Sequence, residues 1–263
     1  MLNPDNTAHQ DDASLKIVSL PWYDLPASRV DLDGFWQLLR ADLKATGIDQ
    51  LSQSLDRSTA YVDQWYSAEL LLSQCCGLDL FTREGANLLP FCRPVFTDVP
   101  CTPGNYFSYV ISQTTRARPF TKPRIAINSP SSHSGSTVLW EWLQGVMPQQ
   151  IIVSGSHQAS INLVRNDVVD LAAIDAHSWQ LLDHTGVNII GKTSEAPTPP
   201  FITAKNHHAQ VKDLLTAMHN TIAATGSHLQ ISTLLPCDVN TYAELNTKAQ
   251  NFVEIDLALK RYA

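Results

Sequence analysis

Three polar turns, each just past an apolar strand-like run, lie within residues 129–175 and constrain the fold more than any other feature of the chain. The first is Ser129-Pro130-Ser131-Ser132-His133-Ser134-Gly135-Ser136-Thr137. It follows Arg124-Ile125-Ala126-Ile127-Asn128 and opens a run with helical spacing at Val138, Leu139, Trp142, Leu143 and Val146. The second, Ser154-Gly155-Ser156-His157-Gln158-Ala159-Ser160, follows Gln150-Ile151-Ile152-Val153 and precedes Ile161, Val164 and Val168 on one helical face. The third is Asp175, directly after Leu171-Ala172-Ala173-Ile174. In an open α/β sheet, that end of the strands is where ligands bind. Two of the turns also open a helix, whose free N–H groups and positive dipole end favour an anion. The pattern predicts a small-anion cleft.

The flanking sequence continues the alternation. Residues 15–20 read as a strand stopped by Pro21, which leaves Trp22 and Tyr23 at a strand end. Those rings serve equally as a pocket wall or as packing for the next helix, which is expected from Asp33 to Gly47. Another helix is expected at 60–65. Residues 69–74 read as a buried strand with Ser73 and Gln74 at its polar end. Pro90 and Pro94 divide 88–96 into pieces at an edge or bend. Strands follow at 106–112, 187–191 and 201–204, with a polar connection at 114–122. Helices follow at 208–223 and 239–249, and the tail, 252–262, adds a last one. Ala196-Pro197-Thr198-Pro199-Pro200 is a stiff extended segment suited to a crossing between lobes. This order predicts an α/β fold with mostly parallel sheets.

Composition narrows the function. A chain of 263 residues with 44% hydrophobic content can build two lobes with real cores. Its net charge of −7 and 16% charged residues leave no basic stripe for nucleic acid. No run is long and apolar enough to span a bilayer. The polar start, residues 1–13, reads as a flexible lead without a secretory signal. The five cysteines, Cys75, Cys76, Cys92, Cys101 and Cys237, read as buried free thiols, with a Cys92–Cys101 bridge conceivable only after export. No C-x-x-C, G-x-x-x-x-G-K-[ST], G-x-G-x-x-G or H-E-x-x-H pattern occurs, so no metal or nucleotide cofactor is expected.

The turn from Ser132 to Thr137 holds four hydroxyls, a histidine and a glycine, more donors than one helix cap needs. Hydroxyls donate to an oxyanion without adding charge, and Gly135 lets the backbone come close to a ligand. Ser132, His133, Ser134, Gly135, Ser136 and Thr137 are therefore the expected anion anchor. His157 reads as a cap, a donor to the anion or half of a catalytic pair. A Ser156–His157–Asp175 triad is disfavoured, because adjacent side chains rarely aim at each other and no G-x-S-x-G elbow occurs. Asp175 reads either as an acceptor for a protonated oxyanion or a ligand cation, or as a solvated strand-end aspartate.

Taken in order, Leu20-Pro21-Trp22-Tyr23-Asp24-Leu25-Pro26, Leu70-Leu71-Leu72-Ser73-Gln74-Cys75-Cys76-Gly77, the 131–135 turn, residues 154–160 and Ala172-Ala173-Ile174-Asp175 resemble the phosphate/phosphite/phosphonate-type substrate-binding proteins of ABC importers. The resemblance spans about residues 15–204. It implies the type 2 periplasmic-binding fold, two lobes joined by two crossing segments and hinged over an interlobe cleft. Lobe one would be 14–110 with 197–263, and lobe two 111–196. It implies that Ser132-His133-Ser134 stands where the family carries Ser-Thr-Ser, with His133 departing from that pattern. His157 matches a pocket histidine, Asp175 lies near the pocket acid, and Phe96 lies near an aromatic but lacks its hydroxyl. Trp22, Tyr23, Ser73, Gln74 and Phe96 would form the opposite wall. The implied protein is a monomer that binds phosphate, phosphite or a phosphonate and hands it to an ABC permease. That role places it in the periplasm, whereas the polar start favours the cytoplasm, where the same fold would serve as a cofactor-biosynthesis enzyme or a ligand sensor.

Overall fold

The computed structural model describes residues 14–113 and 120–260, with side chains as far as Phe252. The expected lead at 1–13, residues 114–119 of the polar connection and the end of the tail, 261–263, lie outside the described residues. The apolar runs noted above build two five-stranded sheets, each flanked by helices.

The second sheet in sequence carries the polar turns. It orders β7 (Gln150–Val153), β6 (Arg124–Ile127), β8 (Leu171–Asp175), β5 (Ser108–Ser112) and β9 (Asn188–Lys192). Its central strands are apolar on both faces because helices cover both. Ile125, Ile127, Leu171, Ala173 and Val110 face α3 (Val138–Leu143). Ala126, Ala172, Ile174 and Ile111 face α4 (His157–Arg165) and Trp179 of α5 (Ala176–Leu181). Side chains alternate along each strand, so one run feeds two cores. Each fully buried aliphatic side chain stabilises the sheet by roughly 1.5–3 kcal/mol.

The first sheet orders β1 (Ile17–Val18), β2 (Leu70–Gln74), β11 (Phe201–Ala204), β3 (Leu88–Phe96) and β12 (Ile231–Pro236). Leu32, Phe35, Trp36, Leu39 and Leu43 of α1 (Arg29–Ala45) pack into its core with Leu214, Ala217, Met218 and Ile222 of α6 (Val211–Thr225). The spacing on α1 is that of one helical face. Helix α1 starts at Arg29, ahead of the expected Asp33, and the chain leaves it through Gly47 at φ +89°. A four-residue helix, α2 (Tyr61–Gln64), lies within the stretch expected at 60–65.

Several expectations need correction. The sheets are mixed rather than mostly parallel. β1–β2, β6–β7 and β6–β8 run parallel, whereas β11 opposes β2 and β3, β12 opposes β3, and β5 opposes β8 and β9. Of the three reversed strands, β5 and β11 enter a sheet directly from the connection between the two, so no helix turns the chain round first, and β12 follows α6 in the direction of β11. β3 is one strand through both prolines. β11 pairs its first half, β12 pairs its second, and only Cys92 pairs with both, so neither proline is asked to donate on two sides. Strand β12 and helix α5 were not expected from sequence. The five cysteines are free thiols, with Cys101 and Cys237 only half-buried.

The sheets are linked by a two-stranded ribbon, β4 (Asn105–Tyr106) against β10 (Ala196–Pro197). β5 belongs wholly to the second sheet, so the sequence boundary at Val110 falls inside a paired strand. The C-terminal helix α7 (Ala243–Lys260) leaves the first sheet but leans on the second unit, where Phe252 stacks on Trp140 at 6.4 Å and Lys248 sits 3.8 Å from Glu141.

Thr198 fixes the ribbon's exit. Its hydroxyl donates to Pro94 O at 2.7 Å and lies 3.0 Å from Gly104 O, and its own carbonyl accepts from the buried Tyr242 hydroxyl at 2.8 Å. While Gly104 O retains Thr198 N–H at 3.0 Å, Thr198→Val keeps the shape but removes the hydroxyl donor to the buried Pro94 carbonyl. It is expected to cost about 1–3 kcal/mol in urea unfolding, and an unchanged midpoint would show that this bond does not anchor the crossing.

Candidate functional site

The three polar turns and the turn after β1 meet at a cavity of about 310 Å³ between the two sheets. Of the expected residues, Trp22, Tyr23, Ser132, Ser134, His157 and Asp175 line it. The others lie elsewhere, and local geometry explains each.

The first turn is a π-helical turn, His133–Thr137, closed by Thr137 N–H donating to Ser132 O at 3.1 Å. It turns Ser132 and Ser134 toward the cavity, while Ser136 and Thr137 line a separate hollow behind, beside Trp140. Ser132 also caps the turn, its Oγ accepting from Gly135 N–H at 3.0 Å. Gly135 serves packing rather than ligand approach. A Cβ there would meet Asn128 Cγ at 2.5 Å, and Asn128 is itself a cavity residue. His133 is buried, and neither ring nitrogen has a hydrogen-bond partner among the described residues. Burial pulls its pKa down to about 4, so at neutral pH it is an uncharged interior ring and not a cationic anion donor.

On the first-sheet side, Ser73 is fully buried and pairs with Ser19 Oγ at 2.8 Å. Gln74 and Phe96 border a small apolar hollow away from the cavity. Phe96 stacks on His177 at 4.0 Å, and His177 Nδ1 in turn lies 2.8 Å from Asp98. These residues build the inner wall behind Tyr23, whose ring meets His177 edge-on at 4.6 Å.

The cavity floor is a three-residue contact. His157 starts α4, and its Nε2 lies 3.3 Å from Ser134 Oγ and 3.1 Å from Asp175 Oδ2. Asp175 ends β8 and caps α5, accepting from Ser178 N–H at 2.8 Å. Burial works to raise this carboxyl, but the His157 and Ser178 hydrogen bonds outweigh it and hold the group below the usual carboxylate range. Asp175 is therefore a buried carboxylate with defined partners, not a solvated strand end. Ser156, the sequence candidate beside His157, is the α4 cap and accepts from Ala159 N–H at 3.1 Å.

Other lining residues escaped the sequence reading. Asp79 follows β2 and accepts from Cys76 N–H at 2.8 Å. Burial pushes its pKa up to about 7 against that hydrogen bond, with Glu84 adding to the rise. Tyr106, on the ribbon, and Tyr61, on α2, also face the cavity. Burial holds the Tyr106 phenol well above its ordinary pKa, so it stays neutral beside Ser134. None of the lining residues is lysine or arginine. Tyr61 and Asp79 lie outside the expected strand-end turns. A cue to Asp79 existed, since Cys75-Cys76-Gly77-Leu78-Asp79 follows a strand as the other turns do.

Comparison with known proteins agrees with this fold. The sequence model of the phosphonate periplasmic substrate-binding protein of ABC transporters matches residues 105–250, more than half the chain. No curated protein matches in sequence. Among solved structures, a binding-protein component of an ABC phosphonate transporter from Pseudomonas aeruginosa is 15% identical with a TM-score of 0.67, covering 94% of this chain and 89% of that one. PhnD1 of Prochlorococcus marinus, in complex with methylphosphonate, is 15% identical with a TM-score of 0.68, covering 91% and 98%. A Xanthomonas citri protein bound to ATP is 11% identical with a TM-score of 0.62, covering 91% and 98%. At these identities the structural likeness is one of fold, the two-lobe periplasmic-binding fold. Together with the sequence match, it establishes that the chain belongs to the periplasmic phosphonate substrate-binding proteins of ABC transporters.

Proposed function

We propose that the chain binds a phosphonate-class oxyanion in the intersheet cavity and presents it to an ABC permease. The observation that carries this reading is the convergence of Ser134, His157 and Asp175 at the cavity floor, where the three polar turns meet. Ser134 Oγ and His157 are the donors to the anion. The α4 start adds a favourable dipole end, and Asn128 adds side-chain amide donors. Asp175 has the complementary role of accepting from a protonated ligand oxygen. This arrangement favours a singly protonated oxyanion over a fully ionised one, because a second bare anion beside a buried carboxylate is repelled.

The two sheets are the two lobes, and the β4–β10 ribbon is their hinge. We draw the first lobe boundary ahead of β5 rather than at Val110. Closure over the ligand then brings Trp22, Tyr23 and Tyr61 against the part of the ligand that projects from the other lobe. The family consists of transporter binding components rather than enzymes. The geometry at His157 fits that role, since Ser134 and Asp175 contact the same ring nitrogen. A hydrolytic relay needs them on opposite nitrogens, so that the histidine can take the serine's proton while the aspartate steadies it.

Two outcomes test the site. Ser134→Ala removes a charge-assisted donor and should weaken methylphosphonate binding roughly 10- to 100-fold by calorimetry, while an unchanged Kd would remove Ser134 from the site. The second concerns pH. Asp79 is protonated below about 7, where it can donate to the anion, and ionises above it, where it repels. Affinity should therefore fall as pH rises from 6 to 8. Asp79→Asn should flatten that fall, with the ligand's own titration cancelling in the ratio of the two proteins' Kd values. A constant ratio across this range would contradict the assignment. The same shift gives the sign for folding. Because the folded-state pKa lies above the unfolded one, Asp79 contributes stability that is fully present below the ordinary carboxylate pKa and lost as pH rises to about 7.

A further inference from the structure

The cavity has a second wall that the oxyanion does not use. Trp22, on the turn after β1, and Tyr61, on α2, both line it. Their rings meet edge-on at 5.3 Å. Behind them the buried Trp65 stacks with Trp22 at 6.4 Å and tilts against Tyr61 at 5.2 Å. The pair is thus held in place by a core residue rather than left loose on the surface. Tyr61 is nevertheless 44% exposed, so its side chain stays accessible where it lines the cavity. The cavity's 310 Å³ reaches the range of pockets for organic ligands, roughly 300–1,000 Å³, and is more than a bare tetrahedral anion fills.

Charge decides what belongs there. The lining holds two carboxyl groups and no lysine or arginine. Asp175 is already paired with His157 at 3.1 Å and with Ser178 N–H at 2.8 Å. Asp79 is engaged by Cys76 N–H at 2.8 Å, and burial keeps it substantially protonated near neutrality. With Asp175 engaged at the floor and Asp79 only partly ionised near neutrality, the aromatic end offers an ammonium group a weak partner, while Leu25, Leu182 and Pro199 extend the apolar lining. Resting on the phosphonate reading above, we propose that Trp22 and Tyr61 form a subsite for an uncharged planar substituent, so that the favoured ligand is a phosphonate carrying an aromatic ring. Aromatic faces attract a second ring in offset or edge-on packing, and the ring leaves water as it enters.

The test is calorimetry of the full chain at one pH with phenylphosphonate, methylphosphonate, 2-aminoethylphosphonate and inorganic phosphate. Phenylphosphonate is expected to bind about tenfold or more tightly than methylphosphonate, with the aminoethyl compound no tighter than the methyl one. Tyr61→Ala, at an exposed position, should weaken phenylphosphonate several-fold more than methylphosphonate. Trp22→Ala should do the same, and Trp22→Phe should restore most of the preference. Equal affinity for the phenyl and methyl compounds, tighter binding of the aminoethyl compound, or variants that weaken both ligands alike would overturn the subsite and leave the oxyanion reading standing. Absence of binding by every phosphonate would overturn both.

Discussion

One imidazole nitrogen ties the cavity floor together. His157 Nε2 lies between Ser134, on the π-helical turn after β6, and Asp175, at the end of β8. β6 and β8 are adjacent parallel strands, and their apolar residues fill the cores on both sides of the sheet. Packing sets the strand ends within reach of each other, so that Ser134, His157 and Asp175, each at or just past a strand end, meet at the cleft. Fold and site are in this sense one arrangement. The registers that bury Leu171, Ala172, Ala173 and Ile174 also place Asp175, and a slip of one residue would turn it away.

The electrostatics of the cavity differ from those of a basic anion trap. With no lysine or arginine in the lining, affinity must come from hydroxyls, amides, one histidine and a helix start, all weakly hydrated beside a formal cation. Such a site pays little to exclude water and discriminates by geometry and protonation. The neutral phenols of Tyr23 and Tyr106 fit this pattern, as does the carboxyl of Asp79 with its pKa near 7. Each can donate to a ligand oxygen without bringing a charge that must be neutralised in the empty protein.

Much of the second lobe was legible in the sequence because its elements follow the local rules. Short apolar runs bounded by serine, glycine and proline became strands, and the runs with helical spacing became α3 and α4. Three kinds of feature were not legible. Strand direction depends on where the chain enters a sheet, which no local pattern records, so the mixed sheets were read as mostly parallel. β12 was missed because it lacks alternation. Its burial runs inward at Ile231, outward at Ser232 and Thr233, then inward at Leu234, and the register with β3 shifts between Ile231 and Thr233. Within the anchor, counting hydroxyls could not reveal that a π-helical turn sends Ser136 and Thr137 behind the cleft. Nor could it show that Ser73 and Gln74, although at a strand end, are covered by the elements packed over them. Tyr61 and Tyr106 reach the site through long-range packing alone.

The most direct test of this account is a crystal structure of the chain with methylphosphonate. The account predicts the phosphonate group on the cavity floor, with one oxygen within hydrogen-bond distance of both Ser134 Oγ and His157 and the methyl group directed toward Trp22 and Tyr61. A phosphonate seated instead in the hollow beside Ser136, Thr137 and Trp140, or bound without contact to His157, would contradict it.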